Sequence, residues 1–594
     1  MVKTNTERED LIAVALGDAT ADLVIKDGML VNVLTAEIYR TDIAVKGNRI
    51  ASIDAEGKMI GNNTQILDAK GKYLVPGLIE PHYHSYHTYI TPTASAQAIL
   101  PHGTTAIAEG FYGQGIVGGK RAIRFFLEEL KDTPLKIVFL VPPLSYLQNR
   151  ELGLPPAPDS VTAKEMKEML SWPECYGLEE PPYIPILEKD PIFIDLFKSC
   201  LEQKKIIIGM ACGISIRGLN AYVTMGPLTD HENVKAEEAV EKTRRGLKIL
   251  MREGSGTLNV TELSKAITKY HIDPRAFAFC VDLATPDRLL NEGHLDANIR
   301  AAVSAGIEPV TAIQMTTINP AEILRVNYDM GSITPGKIAD ILLVSDLKKF
   351  MAQTVVANGK VVARDGTLTV DIERPGYPKW MYNTVKLKRT VKPEGFNIKA
   401  PRARQKVRVW VIGAVEEVLL TEKRTEVLKV EGGVVQPDIR KDVLKIAMID
   451  RFNTTGNIGN GFVQGFGLER GALGMSVNAV CENILVVGTN GKDMSAVANR
   501  LAEIGGGMIA VVDNSVKATV NLPLLGLLSD NPLSAFIKQW NRLHAAIREM
   551  GCTLKSPITT LEFTGVSGEM GTLKICDKGY FEVESRKILD ATIE

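Results

Sequence analysis

The feature that most constrains this chain is an alternation, sustained over roughly 240 residues, of short apolar runs with longer helical stretches. The candidate strands are 74–82, 103–109, 135–142, 176–180, 205–210, one near 223–231, 247–252 and 276–282. Eight strands interleaved with helices predict an α/β fold, a (β/α)8 barrel over residues 75–325, with chemistry gathered at the strands' C-terminal ends. Short alternating strands also occur on both sides of this segment, at 21–55 and at 330–366, where Asn358-Gly359 is a hairpin signal. They predict one flanking β-sandwich domain built from residues 1–74 and 326–372, with the barrel inserted. Residues 373–406 read as a solvated linker carrying Lys386, Lys388, Arg389, Lys392, Lys399, Arg402, Arg404 and Lys406 between Pro393 and Pro401 or beside them. Beyond it, strands such as Val407–Ile412 and a helix over 530–550 predict a separate C-terminal α/β domain over 407–594, its loops placed to close over the barrel mouth.

The polar residues fall where barrel chemistry belongs. The chain has only eight histidines, and His82, His84 and His87 lie within six residues of one another. Side chains at i and i+2 share one face of a strand, so His82 and His84 aim the same way at the end of strand one. Glu180 ends strand four, His231 lies near strand six and Asp282 ends strand eight. A single strand-end carboxylate is more often a helix cap or a loop residue. Five ligand-type residues at one mouth instead predict a divalent metal site, and imidazole with carboxylate suits Zn, Mn and Fe alike. Such an ion acidifies water, and a neighbouring carboxylate takes the released proton.

Composition narrows the partners. The net charge is −1 with no basic block large enough to be a phosphate-binding surface, which disfavours nucleic acid and anionic membrane. Met1 to Asp18 is charged and lacks an apolar core, and no later run reaches the ~20 residues of a membrane span, so a cytoplasmic location is expected. The seven cysteines are scattered without a Cys-x-x-Cys pair, as expected of reduced core thiols. Gly488-Thr489-Asn490-Gly491-Lys492 lacks phosphate-loop spacing and reads as a turn after a strand at 483–487.

On these residues the chain resembles the amidohydrolase superfamily, and within it the adenine deaminases. The likeness runs through Leu100-Pro101-His102-Gly103-Thr104-Thr105, Gly218-Leu219-Asn220-Ala221-Tyr222, His231-Glu232, Met251-Arg252-Glu253-Gly254-Ser255, Glu292-Gly293-His294-Leu295-Asp296 and Asn319-Pro320-Ala321-Glu322. It continues through Gly465-Phe466-Gly467-Leu468 and Gly471-Ala472-Leu473. The resemblance implies metal ligands at His82, His84, Glu180, His231 and Asp282, one or two divalent ions (Mn, Fe or Zn) per subunit, and Asp282, Glu180 and His231 as the catalytic set, with Asp282 shuttling protons. It implies a small nitrogen heterocycle as substrate, contacted by His87, Phe111, Tyr112, Arg252 and Glu253, and a homo-oligomer, dimeric or larger. The chain departs from the family pattern at four places. Gly110-Phe111-Tyr112-Gly113 stands where Asp-Pro-His-Glu is usual, Met210 replaces the strand-five histidine, Leu283 follows Asp282, and Ala479-Val480-Cys481-Glu482 aligns with a His-Asp-Ser-His stretch. A thioether is a poor ligand for hard ions, so the second metal position is expected to be weak or empty. The alternatives to adenine deamination are hydrolysis of a cyclic amide, lactam or other amidine, and a catalytically silent metal-binding paralogue.

Overall fold

The computed structural model describes residues 7–401, 404–416, 420–565 and 571–593; Arg402 of the basic cluster lies outside them. The eight barrel strands are β1 (Leu78–Glu80), β2 (Thr104–Glu109), β3 (Lys136–Val141), β4 (Cys175–Pro182), β5 (Ile206–Met210), β6 (Thr229–Asp230), β7 (Lys248–Arg252) and β8 (Phe277–Cys280). All pairings are parallel, β1 to β5 in one sheet and β6 to β8 in another. Parallel strands covered on both faces read as unbroken apolar runs, and Ile206–Met210 is buried at every position. Alternate residues serve the two sides. Ala106, Ala108, Val138, Leu140, Ile206, Ile208, Leu250 and Ala278 form one core cluster inside the barrel, whereas Ile107, Phe139, Leu178, Ile249 and Phe277 pack into another with the helices.

Both junctions between the sheets are stitched. Between β5 and β6, the Leu228 amide donates to the Ile207 carbonyl at 2.8 Å. Between β8 and β1, buried Glu80 accepts the amides of His82 (3.0 Å) and Val281 (2.8 Å), and the His84 amide donates to the Asp282 carbonyl at 3.0 Å. The barrel thus closes through the very segments that carry the candidate ligands.

The expected strand 74–82 is two strands in two sheets. Tyr73–Pro76 pairs antiparallel with Ile341–Val344 in the flanking domain, and only after Gly77 does β1 enter the barrel. Gly77 permits the crossing, since a Cβ there would lie 2.3 Å from Thr105 Oγ1 and 2.8 Å from Asp340 Cβ. Strands from both ends of the chain segment share a nine-stranded sheet that branches at Leu23–Asn32 and encloses Leu30, Ile43, Leu74, Ile341 and Val356.

The 373–406 segment keeps its charges in water, with Lys386, Lys388, Arg389, Lys392 and Lys399 exposed. Its apolar side chains are not free: Val385, Val391, Phe396 and Ile398 are buried against the C-terminal region. There a ten-stranded sheet forms between helix Gly491–Glu503 and helix Leu533–Glu549. Its strands again alternate: Ile484, Val486 and Ile509 meet Val497 and Leu501, while Leu485, Val487 and Ala510 share a core with Phe536 and Trp540. The turn at 489–490 leads into the first of these helices, where the Asn490 side chain caps the Asp493 amide. No described helix is long and apolar enough to cross a membrane.

Candidate active site

His82 and His84 leave the end of β1 together, and the barrel-closing hydrogen bonds just described fix their backbone. Glu180 sits where β4 is irregular: Ile208 pairs with Glu179, but Met210 pairs with Pro182. This bulge takes Glu180 to φ +31°, and Asp282, just past β8, stands at φ +63°. Non-glycine residues held at positive φ cost on the order of 1–3 kcal/mol each, and such strain collects at functional sites.

The four groups converge with His231. His84 Nε2 lies 3.1 Å from Glu180 Oε1 and 3.4 Å from Asp282 Oδ1; His82 Nε2 lies 3.6 Å from Glu180 Oε2 and 3.5 Å from Asp282 Oδ1. His231 Nε2 is 3.4 Å from Glu180 Oε2, and its ring centre is 4.0 Å from that of His82. All five residues are buried. Burial raises the cost of the Glu180 charge, yet His84, His231 and His82 together hold its carboxyl well below the usual range. Burial likewise opposes charge on His84 and His231, but the neighbouring carboxylates, Glu180 foremost with Glu232 and Asp282, outweigh it and push both up to about 10, while burial and the adjoining imidazoles hold His82 well below the usual range. The cluster therefore demands positive charge, supplied by protons or by a cation.

The donors fit a divalent ion. His82, His84 and Asp282 form one group with ligand atoms within 4.8 Å of one another, and His82, Glu180 and His231 form a second. Both ring nitrogens of His82 are buried without a hydrogen-bond partner, as are Nδ1 of His84 and of His231. Buried polar atoms are normally satisfied, so the orphaned His82 Nε2, facing both Glu180 and Asp282, marks a place for a metal.

A cavity opens beside this cluster, lined by His84, His87, Tyr112, Arg252 and Leu283 with Phe563 of the C-terminal region. Met210, Leu144, Ala479 and Val480 make the rest of the wall apolar. Arg252 donates to Asp282 Oδ2 at 3.0 Å and to Glu232 Oε2 at 2.8 Å, so one Asp282 oxygen is anchored while the other faces the histidines. His87 joins the two halves of the site. Its Nδ1 is 2.8 Å from Glu562 Oε1, its Nε2 is 3.1 Å from the Tyr112 hydroxyl, and the Tyr89 hydroxyl donates to the other Glu562 oxygen.

Two expected contacts lie elsewhere. Phe111 is fully buried, at φ +59°, and stacks on Phe126 behind the wall, because its neighbour Tyr112 takes the inward direction. Glu253 accepts the Val260 amide at 3.0 Å, closing the loop after β7 and turned from the cavity. Glu232, Glu562 and Phe563 also border the cluster and its cavity, outside the residues that the sequence pattern singles out. Glu232 follows His231 directly, a local signal in the sequence; Glu562 is 473 positions from its partner Tyr89, and no local pattern announces it.

A barrel with this ligand-type constellation at the C-terminal end of its strands defines an amidohydrolase-type hydrolase. Residues 234–362 match the amidohydrolase family, and residues 418–587 match the adenine deaminase C-terminal domain. The chain is 36% identical over 587 residues to an adenine deaminase of Clostridium botulinum (strain Langeland), covering 98% of this chain and 97% of that one. It is 35% identical over 583 residues to an adenine deaminase of Moorella thermoacetica, again covering 98% and 97%. The chain belongs to the adenine deaminase family. Among solved structures, a beta-aspartyl dipeptidase of Fervidobacterium islandicum AW-1 superposes at a TM-score of 0.45 with 16% identity, covering 59% of this chain and all of that one.

Proposed function

We propose that the protein deaminates adenine, replacing the exocyclic amino group with oxygen from water to give hypoxanthine and ammonia, with one or two divalent ions held by His82, His84, Asp282, Glu180 and His231. The observation that carries this reading is the convergence of those five buried side chains beside a cavity, in a chain aligned over almost its whole length with named adenine deaminases. A divalent ion bound there would supply acidified water, lowering its pKa from ~16 towards ~7. The chain's own residues do the rest. Asp282 Oδ1, on the side of the carboxylate not held by Arg252, accepts the proton of the attacking water and passes it to the departing nitrogen, the reverse of its first role. Arg252 and Glu232 hold that carboxylate in register. The His87–Glu562 pair and the Tyr112 hydroxyl are placed to orient the ring nitrogens, and Phe563 with Ala479 and Val480 excludes water above them.

The apolar stretch of wall formed by Leu144, Met210, Leu283 and Val480 favours a second reading, a heterocycle or cyclic amide with a less polar edge. Polar pockets discriminate strongly because their own groups go unpaired with the wrong ligand. Product analysis separates the two. Ammonia and hypoxanthine in equal amounts from adenine support the first reading; ring-opened acid from a lactam or hydantoin, without ammonia from adenine, rejects it.

A further inference from the structure

Behind His84, on the side away from the cavity wall, a third group of ligand-type side chains comes together: His84, Glu109 and Glu179, with ligand atoms within 4.8 Å of one another. Glu109 ends β2 and Glu179 belongs to β4, one residue before the bulge at Glu180. Successive strand residues normally face opposite ways. The bulge instead lets both glutamates approach the same imidazole.

The accounting of partners singles this group out. Both carboxylates are fully buried. Glu109 is well served, accepting the amides of Ser85 (2.6 Å) and Phe111 (2.7 Å). Glu179 is not: neither of its oxygens has a well-formed hydrogen bond, with only a marginal approach of the Gly110 amide beside it. His84 directs Nε2 at Glu180 and Asp282, leaving its buried Nδ1 without a partner. Gly110 makes room for this carboxylate, since a Cβ there would come within 2.3 Å of Glu179 Oε2. An unpaired buried carboxylate is costly, and two beside a single imidazole leave net negative charge in a dry site.

We infer that His84, Glu109 and Glu179 form a binding site for a divalent cation, separate from the two groups assigned above and sharing only the His84 imidazole with them. Two carboxylates and one imidazole suit Mn²⁺ or Fe²⁺, and with Met210 at the end of β5 this is where a further ion finds hard ligands. The inference rests on the proposed metal-dependent activity only through that shared imidazole. Apo-protein prepared by chelation is reloaded with Mn²⁺, and bound metal is counted by elemental analysis and calorimetry. Glu179→Gln and Glu109→Gln each lose one Mn²⁺ per chain relative to wild type, whereas His82→Ala loses metal from the main cluster and keeps the Glu179-dependent ion. Manganese anomalous scattering from wild-type crystals reports the same site without any substitution, as a peak bounded by Glu109, Glu179 and His84. Undiminished metal in both glutamate variants, or no peak there in a fully loaded crystal, overturns the inference while leaving the main site intact. A wild-type chain that takes up no Mn²⁺ at all overturns both it and the proposed function.

Discussion

Arg252 offers a sharp test of how the site is held together. Its guanidinium, 1% exposed, lies between Glu232 Oε2 at 2.8 Å and Asp282 Oδ2 at 3.0 Å, both carboxylates being buried as well. Burial disfavours its charge, but the two carboxylates outweigh burial and raise its pKa further. Arg252→Met keeps much of the volume and removes both bonds. Charge-assisted bonds of this kind are each worth about 1.5–3 kcal/mol, giving ~3–6 kcal/mol for the pair. Removing one member of a buried ion cluster costs about 3–5 kcal/mol, because the remaining charges lose their compensation. The variant is therefore expected to unfold about 3–5 kcal/mol more easily in chemical denaturation. The kinetic signature separates two roles. If Arg252 holds Asp282, kcat falls by roughly a hundredfold or more with KM little changed, since ~1.4 kcal/mol of lost transition-state stabilisation is tenfold. If it grips the substrate instead, KM rises. Adding Glu232→Gln removes one of the stranded charges and restores part of the stability but not of kcat. An Arg252→Met protein with wild-type stability and wild-type kcat would refute the reasoning.

Further outcomes follow from the same geometry. His82→Ala removes the imidazole common to both main ligand groups and is expected to lose metal and turnover together, checked by elemental analysis beside the rate. Asp282→Asn keeps the shape and loses the base, lowering kcat by about 10²–10⁴-fold while metal content falls less than in His82→Ala. Burial, opposed by Arg451, pushes the Glu482 carboxyl up to about 8. The folded state thus holds a proton that the unfolded state releases at lower pH, so this residue's contribution is fully present below about pH 4.5 and is lost progressively as pH rises to about 8. Glu482→Gln is expected to flatten the fall in melting temperature between about pH 5 and about pH 8, and an unchanged slope would show that Glu482 does not titrate there.

What could be read from the chain was mostly local. The period-two spacing of His82 and His84 is a backbone property and carries over directly into the fold, and so do the apolar runs of β2, β3 and β5, whose burial on both sides leaves no competing assignment. Hydrophobicity is continuous across Gly77, so run 74–82 has the pattern of one strand, and only packing against Thr105 and Asp340 reveals the change of sheet. Register was the harder matter. The bulge at Glu180 decides that Glu179 and Glu180 both reach His84, and no propensity announces a bulge. Phe111 and Tyr112 are adjacent aromatics, and which of them faces the cavity depends on the left-handed turn at Phe111 rather than on composition. Glu562 lies beyond any sequence-local argument, because its role arises from docking a loop of the C-terminal region onto His87.

The central claim is that this cavity turns over adenine. Steady-state kinetics on Mn²⁺-reconstituted protein with adenine as substrate tests it most directly. The account predicts stoichiometric ammonia and hypoxanthine with kcat/KM at or above ~10⁴ M⁻¹s⁻¹, the ordinary range for an enzyme on its own substrate. Fully metal-loaded protein that binds adenine but releases no ammonia from it would contradict the claim.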